Sequence, residues 1–362
     1  MELGQETRDG TQGSKKNRKG VRVVVRAEDR GATALWYEAP GVAVLREEPP
    51  PSADDIAARG LARVRTQWTA ISRGTERLVC SGLISPSEYV RMRAPFQAGD
   101  FPFPVKYGYC AAGVVDDGPA DMVGRRIFAL HPHQDVFWLP AGDLVTLPEA
   151  LPTRRATLAA NMETALNAVW DSGAGPGDRI VVIGAGIVGA LIAIVCARLP
   201  GAEVVAIDPQ PDRAGVLARF GVACIAPQAA GPGSPLLREP LADIVFHTSA
   251  TSAGLAMALG AAGFEGRVVE VSWFGAREAT IPLGGAFHSR RLQLVSSQVG
   301  HVAAARRARW THRRRLLKAL DLLCDERLDA LITDEFAFSE LPRRLPAYLA
   351  GPAGGLAAVV RY

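Results

Sequence analysis

Three glycines in Arg179-Ile-Val-Val-Ile-Gly184-Ala-Gly186-Ile-Val-Gly189 are spaced to hold an anion at the start of a helix. Gly184 lets the chain turn tightly out of a strand, Gly186 lets the backbone approach a pyrophosphate, and Gly189 lets helix and strand pack closely. The amides of Ile187 and Val188 then face the phosphates, where unpaired N–H groups and the helix dipole both favour negative charge. A second β-branched run, Glu203-Val-Val-Ala-Ile, ends in Asp208, about twenty residues beyond the last glycine. A carboxylate there accepts bonds from adenosine ribose hydroxyls and repels a 2′-phosphate, so NAD is expected over NADP. Arg213, opening the next helical stretch, is a further cofactor candidate, as is Ser249 at the end of a later strand.

These residues need a parallel sheet to carry them. Strand candidates Val222–Ala226, Asp243–Thr248, Arg267–Ser272 and Leu292–Ser296 follow the fingerprint, separated by helical patterns at Arg213–Arg219 and Ser252–Ala262. Such alternation predicts a doubly wound α/β domain over 156–300. The part before it differs: Ala34–Tyr37, Val42–Leu45, Ala62–Thr69, Gly113–Val115 and Arg126–Leu130 are short strand candidates among Pro and Gly, the pattern of a small twisted barrel. The expected division is a disordered basic tail at 1–20, a discontinuous catalytic domain at 21–155 and 301–362, and the nucleotide domain between. Active sites form in the cleft of such a pair.

Composition narrows the classes. A chain of 362 residues is long for one core, and a net charge of +4 gives no global field for nucleic acid. The five cysteines, Cys80, Cys110, Cys196, Cys224 and Cys324, show no paired spacing, which fits a reducing cytoplasm. The longest apolar run, near Ile187–Ala197, is too short to span a bilayer, so no membrane partner is expected.

From residue 30 onward the chain resembles the medium-chain dehydrogenase/reductase superfamily. The likeness rests on Ala70-Ile-Ser-Arg-Gly-Thr-Glu76, Lys106-Tyr-Gly-Tyr-Cys-Ala-Ala-Gly-Val-Val115 and Met162-Glu-Thr-Ala-Leu-Asn-Ala-Val169. The Ser-Arg-Gly-Thr-Glu turn together with Leu130-His-Pro-His-Gln134 looks most like the subgroup containing bacteriochlorophyllide hydroxyethyl dehydrogenases. The resemblance implies a GroES-like barrel with a Rossmann domain, a small-molecule substrate and pairing as a homodimer. It also places the zinc-binding positions on Arg73, Tyr109, Cys110 and a site near Ala160, none offering the expected donor, and the four-cysteine structural lobe is missing. Neither catalytic nor structural zinc is therefore expected. A different metal set from His131, His133, Cys110 and Glu163 is a weaker alternative, since a His-x-His in a Pro-containing loop is more often structural.

Without zinc, other groups must move the proton. Thr75 matches the superfamily's relay hydroxyl, Tyr109 supplies a phenol beside it, and Arg73 supplies fixed positive charge. The competing readings are a turn cap for Thr75, a core aromatic for Tyr109 and an ion pair from Arg73 to Glu76 or Asp100. His133, in a loop expected to run towards the cleft, is an acid–base candidate. Thr164 is placed by the resemblance against the nicotinamide. The basic run Arg306–Arg315 carries a helical apolar face through Trp310, Leu316, Leu317, Leu320 and Leu323, so most of its arginines should be solvated. Three functions stay open: an oxidoreductase of an alcohol/carbonyl pair, a zinc-free quinone or enone reductase, and a dinucleotide-binding protein without catalysis.

Overall fold

A computed structural model describes residues 31–230, 234, 239–352 and 354–362; the tail expected at 1–20 lies outside the described residues. Six parallel strands form one sheet in the order Ala223–Ile225, Glu203–Ile207, Arg179–Ile183, Ala242–His247, Ala262–Glu270 and Gln293–Ser296. The central strands Arg179–Ile183 and Ala242–His247 are buried almost throughout, which accounts for their near-continuous apolar runs, while the edge strand Gln293–Ser296 is largely exposed. Strand order reverses beside Arg179–Ile183, whose two neighbours are Glu203–Ile207 and Ala242–His247. Ligands of open α/β sheets bind at that reversal, off the carboxyl ends of the strands.

The second body is antiparallel in the main. Leu61–Ile71 is its spine, pairing with Ala111–Asp117, Val136–Pro140 and Ala357–Arg361. Ile332–Ala337 lies outside Ala357–Arg361, so residues after the nucleotide sheet return to this body. The hairpin of Ala32–Ala39 and Val42–Glu48 closes one side. Helix Leu341–Ala350 presents Leu341, Leu345 and Leu349 to a core shared with Leu35, Tyr37 and Leu78. That four-residue repeat is a single helical face.

Helix Ala159–Ser172 joins the two bodies, buried among residues of both, and helix His312–Leu322 packs on it through Leu316, Ala319 and Leu320. One arginine of the basic run departs from the expected solvated face. Arg315 is buried, bonded to Glu163 at 3.0 Å, Asn167 at 2.7 Å and the Val299 carbonyl at 2.6 Å. Arg307, Arg309, Arg313 and Arg314 remain exposed. Trp310 is half-buried, its ring 4.7 Å from Trp170 with Arg314 lying over it. Among the described residues no helix is long and apolar enough to cross a membrane.

Candidate active site

The nucleotide wall is built as the glycine spacing predicts. Gly184 has φ +94° and a Cβ there would lie 2.8 Å from the Ser249 amide, so only glycine fits the turn. A Cβ on Gly189 would collide with the Gly184 carbonyl, whereas one on Gly186 would meet open space. Helix Ile187–Cys196 starts there with no side-chain cap, leaving its first amides for a ligand. Asp208 braces the turn. Its Oδ2 accepts the Ala185 amide at 2.7 Å and its Oδ1 the Gln210 amide at 2.9 Å, and each oxygen keeps a lone pair. Thr164 is half-buried on the joining helix, its hydroxyl donating to the Ala160 carbonyl at 2.9 Å.

The barrel wall is built by helix Arg73–Cys80 and the strand-entry residue Tyr109. The Tyr109 phenol bonds to the Ser72 hydroxyl and lies 3.1 Å from the Thr75 hydroxyl, so the three form one cluster. Burial pushes the Tyr109 phenol well above its ordinary range, with Cys110 adding to the shift and the Ser72 and Thr75 bonds opposing it. It stays protonated at neutral pH and is a donor. Segment Ser272–Ala276 ties the two walls together. Trp273 packs into the core that includes Leu78 and borders Tyr109, and the Ala276 amide donates to the Leu83 carbonyl at 3.0 Å.

Three expectations are corrected. His133 does not open to the cleft: it is 1% exposed, with both ring nitrogens committed. Its Nε2 lies 3.1 Å from Glu76 Oε2 and its Nδ1 2.6 Å from the Thr69 hydroxyl. Closure of the barrel over the loop encloses it. Arg73 pairs with neither Glu76 nor Asp100. Its guanidinium donates to the carbonyls of Gly351 and Tyr348 and lies over the Tyr348 ring, while Asp100 pairs with Arg93. Arg213 is buried and donates to the carbonyls of Gly354 at 2.8 Å and Gly355 at 2.9 Å, which directs it to the returning chain.

Sequence reasoning passed over the partners of these groups. Glu76, fully buried, accepts from Tyr37 at 2.8 Å and from the Ser72 amide at 2.7 Å as well as from His133. It thereby fixes the turn on which Ser72 and Thr75 sit. On the opposite wall Ser249 lies 2.7 Å from His247 Nε2, and His247 Nδ1 lies 2.6 Å from Glu270 Oε2. One signal was available: His247 and Glu270 end adjacent parallel strands and are register partners.

Two walls of this kind around one cleft define the class: the architecture is the medium-chain dehydrogenase/reductase fold, a GroES-like barrel beside a doubly wound sheet. No protein-family profile matches the chain. Among curated proteins it is 25% identical over 215 residues to an uncharacterized zinc-type alcohol dehydrogenase-like protein of Haemophilus influenzae, covering 58% of each chain. It is 26% identical over 198 residues to D-guloside 3-dehydrogenase of Escherichia coli, covering 52% of this chain and 56% of that one. The chain thus spans somewhat over half the length of these relatives. Solved structures similar to it include Escherichia coli L-idonate 5-dehydrogenase, with a TM-score of 0.73 at 14% identity over 91% of this chain and 98% of that one. A Sinorhizobium meliloti protein solved with NADP gives 0.70 at 16%, covering 92% and 99%. An Escherichia coli alcohol dehydrogenase solved with NADH gives 0.69 at 17%, covering 92% and 100%.

Proposed function

We propose that the protein is an NAD(P)-dependent oxidoreductase of an alcohol/carbonyl pair that works without zinc and prefers NAD. One observation carries the reading: the open cradle at Gly186, at an uncapped helix start on the nucleotide sheet, is accompanied on the barrel by the hydroxyl cluster of Tyr109, Ser72 and Thr75. Gly184, Gly186, Ile187, Val188, Gly189 and Asp208 would hold the dinucleotide, with Thr164 and Ser249 beside its nicotinamide half. When bound, the nicotinamide exchanges hydride with the substrate carbon. The rest falls to the chain: Tyr109 donates to the carbonyl oxygen, and Thr75 and Ser72 hold the phenol and pass its proton on.

The residues at the family's zinc positions do not suit that metal. Arg73 brings a cation, Tyr109 a protonated phenol and Ala160 no donor, while burial holds the Cys110 thiol well above its ordinary range. Among the described residues no three His, Cys, Asp or Glu side chains gather as a metal requires. Division into a barrel at 21–155 and 301–362 and a nucleotide unit at 156–300, the bacteriochlorophyllide-type subgroup and a homodimer belong to the same proposal. Reduction of an enone would call for a cation such as Arg73 at the enolate, and that guanidinium is bonded to the carbonyls of Gly351 and Tyr348 instead.

Titration of NADH fluorescence, followed by a panel of alcohols and ketones, tests the reading. Asp208→Ala should weaken NADH binding about tenfold or more, as expected for a charged hydrogen-bond acceptor, and NADPH binding far less. Equal losses would remove Asp208 from its role, and no binding of either nucleotide would overturn the whole reading.

A further inference from the structure

The carboxyl edge of the parallel sheet holds a second constellation, of which the oxidoreductase reading uses only Ser249, as a neighbour of the cofactor. Glu270 Oε2, His247 Nδ1, His247 Nε2 and Ser249 Oγ form a continuous chain with links of 2.6 and 2.7 Å. A carboxylate only accepts, so Nδ1 faces Glu270 as a donor, and in the neutral tautomer that this leaves, Nε2 can accept from the Ser249 hydroxyl, whose oxygen also lies 3.0 Å from Thr251 Oγ1. His247 is fully buried, Phe274 stacks alongside it, and the second Glu270 oxygen is held by the Ser272 amide at 2.7 Å. Glu270 is therefore locked in place and in turn locks the ring. Ser249 is half-exposed, and the Thr251 hydroxyl beyond it caps the next helix through the Gly254 amide.

The backbone around Ser249 is shaped for this placement. The strand ending at His247 breaks sharply into helix Ser252–Ala261, and Ala250 takes φ +51°, a left-handed conformation costly for a residue with a Cβ. The Ala250 amide is pinned to the Ser272 hydroxyl at 3.0 Å. Gly254, in the first turn of that helix, has no Cβ; one would collide with Ser249 Oγ and lie 2.9 Å from His247 Nε2. The hydroxyl thus sits directly on a helix start, where N–H groups and the dipole favour negative charge. A strand-end serine, an imidazole within reach of its hydroxyl, an orienting carboxylate and a nearby helix N-terminus are the parts of nucleophilic acyl transfer.

We propose that Ser249 is a nucleophile, His247 its general base and Glu270 the residue that positions His247, and that together they take an acyl group from an ester or thioester. Ser249 Oγ bonds to the carbonyl carbon as its proton passes to His247 Nε2. Collapse of the tetrahedral intermediate breaks the bond to the leaving oxygen or sulfur, which takes that proton from His247. Water then repeats the exchange, releasing the carboxylic acid and restoring Ser249. This activity is separate from the oxidoreductase reading, although the two share ground: the Ser249 amide abuts the Gly184 turn, so a dinucleotide bound there would cover the hydroxyl.

The test is labelling of the full chain with an alkyl fluorophosphonate, with the adduct located by mass spectrometry and turnover of p-nitrophenyl acetate followed alongside. Expected are a single adduct on Ser249, its loss in Ser249→Ala, and labelling slowed about a hundredfold or more in His247→Gln, the size of a general-base contribution. Glu270→Gln should slow it less, and Glu270→Asp should recover part of the rate, which a merely structural role would not produce. Should His247→Gln fail to fold, Ser249→Cys provides the second arm: its alkylation by iodoacetamide should be faster than that of the other cysteines. Slower labelling in the presence of NADH supports both readings, while labelling that NADH leaves unchanged supports the nucleophile and removes Ser249 from the cofactor site. No adduct on Ser249 in folded protein, or a labelling rate indifferent to His247→Gln, overturns the proposal.

Discussion

Two histidine–glutamate pairs in this molecule have nearly the same composition and opposite surroundings. In the barrel, His133 turns Nε2 to Glu76 and Nδ1 to Thr69, whose hydroxyl lies 3.3 Å from the phenol of Tyr362. Every end of that chain is closed, since Glu76 also receives Tyr37 and the Ser72 amide. At the sheet edge, His247 turns Nδ1 to Glu270 and Nε2 to the half-exposed Ser249 hydroxyl, whose further neighbour in the chain is the exposed Thr251 hydroxyl at 3.0 Å. The pair itself does not decide between scaffolding and chemistry. The third group does: a buried threonine backed by a tyrosine closes the relay, and a strand-end serine leaves it open.

The largest expected effect lies on the closed side. Glu76→Ala leaves the Tyr37 phenol, the His133 N–H and the Ser72 amide buried without an acceptor, and should cost about 3–5 kcal/mol in denaturant unfolding. A loss below about 1 kcal/mol would put the closed pair on the same footing as the open one. A third histidine, which has no acid partner, gives the next effect. His131 lies against Phe137 with ring centroids 4.1 Å apart, and burial, with Lys106 and His133 adding, lowers it to about 3. Between that value and the ordinary one near 6.5 the unfolded chain binds a proton that the folded chain does not. Stability is therefore complete above about pH 6.5 and falls on acidification, by on the order of a few kcal/mol. His131→Phe should flatten that slope when urea midpoints are compared between about pH 4 and pH 7, and an unchanged slope would assign it elsewhere. The smallest effect separates the pairs most sharply: His133→Gln should cost about 1–3 kcal/mol, whereas Glu270→Gln should stay within about 1 kcal/mol. The reverse order would mean that the sheet-edge pair is the structural one.

The nucleotide wall was legible because its constraints are local. Gly184, Gly186 and Gly189 are set by a turn, an approach and a helix–strand contact within one short segment. The parallel, doubly wound sheet followed from the alternation of strand and helix patterns. The barrel wall was legible only as residue types. Tyr109 and Thr75 do meet, through Ser72, but Glu76 and Arg73 were matched to each other by nearness in sequence. Their partners, Tyr37 and His133 for one and Gly351 for the other, come from distant strands and loops, with Arg73 and Gly351 separated by 278 positions. His133 illustrates the same limit: exposure of a loop histidine depends on whether a sheet closes above it. The His247–Glu270 pairing lay between these extremes, visible only once two strands are set in register.

The barrel spine, Leu61–Ile71, shares one edge between Val136–Pro140 at Leu61–Arg65 and Ala357–Arg361 at Trp68–Ile71, and the contact of Thr69 with Tyr362 joins positions 293 apart. During synthesis the Trp68–Ile71 end of the spine therefore waits with that edge unpaired while the whole parallel sheet emerges and folds from its own nearer contacts. An unpaired strand edge is a template for foreign strands, so the interval is one of exposure to aggregation. Late closure of that edge makes the C-terminal strand the last piece of the barrel to be made, so protection of the waiting strand bears on yield independently of the stability of the finished fold.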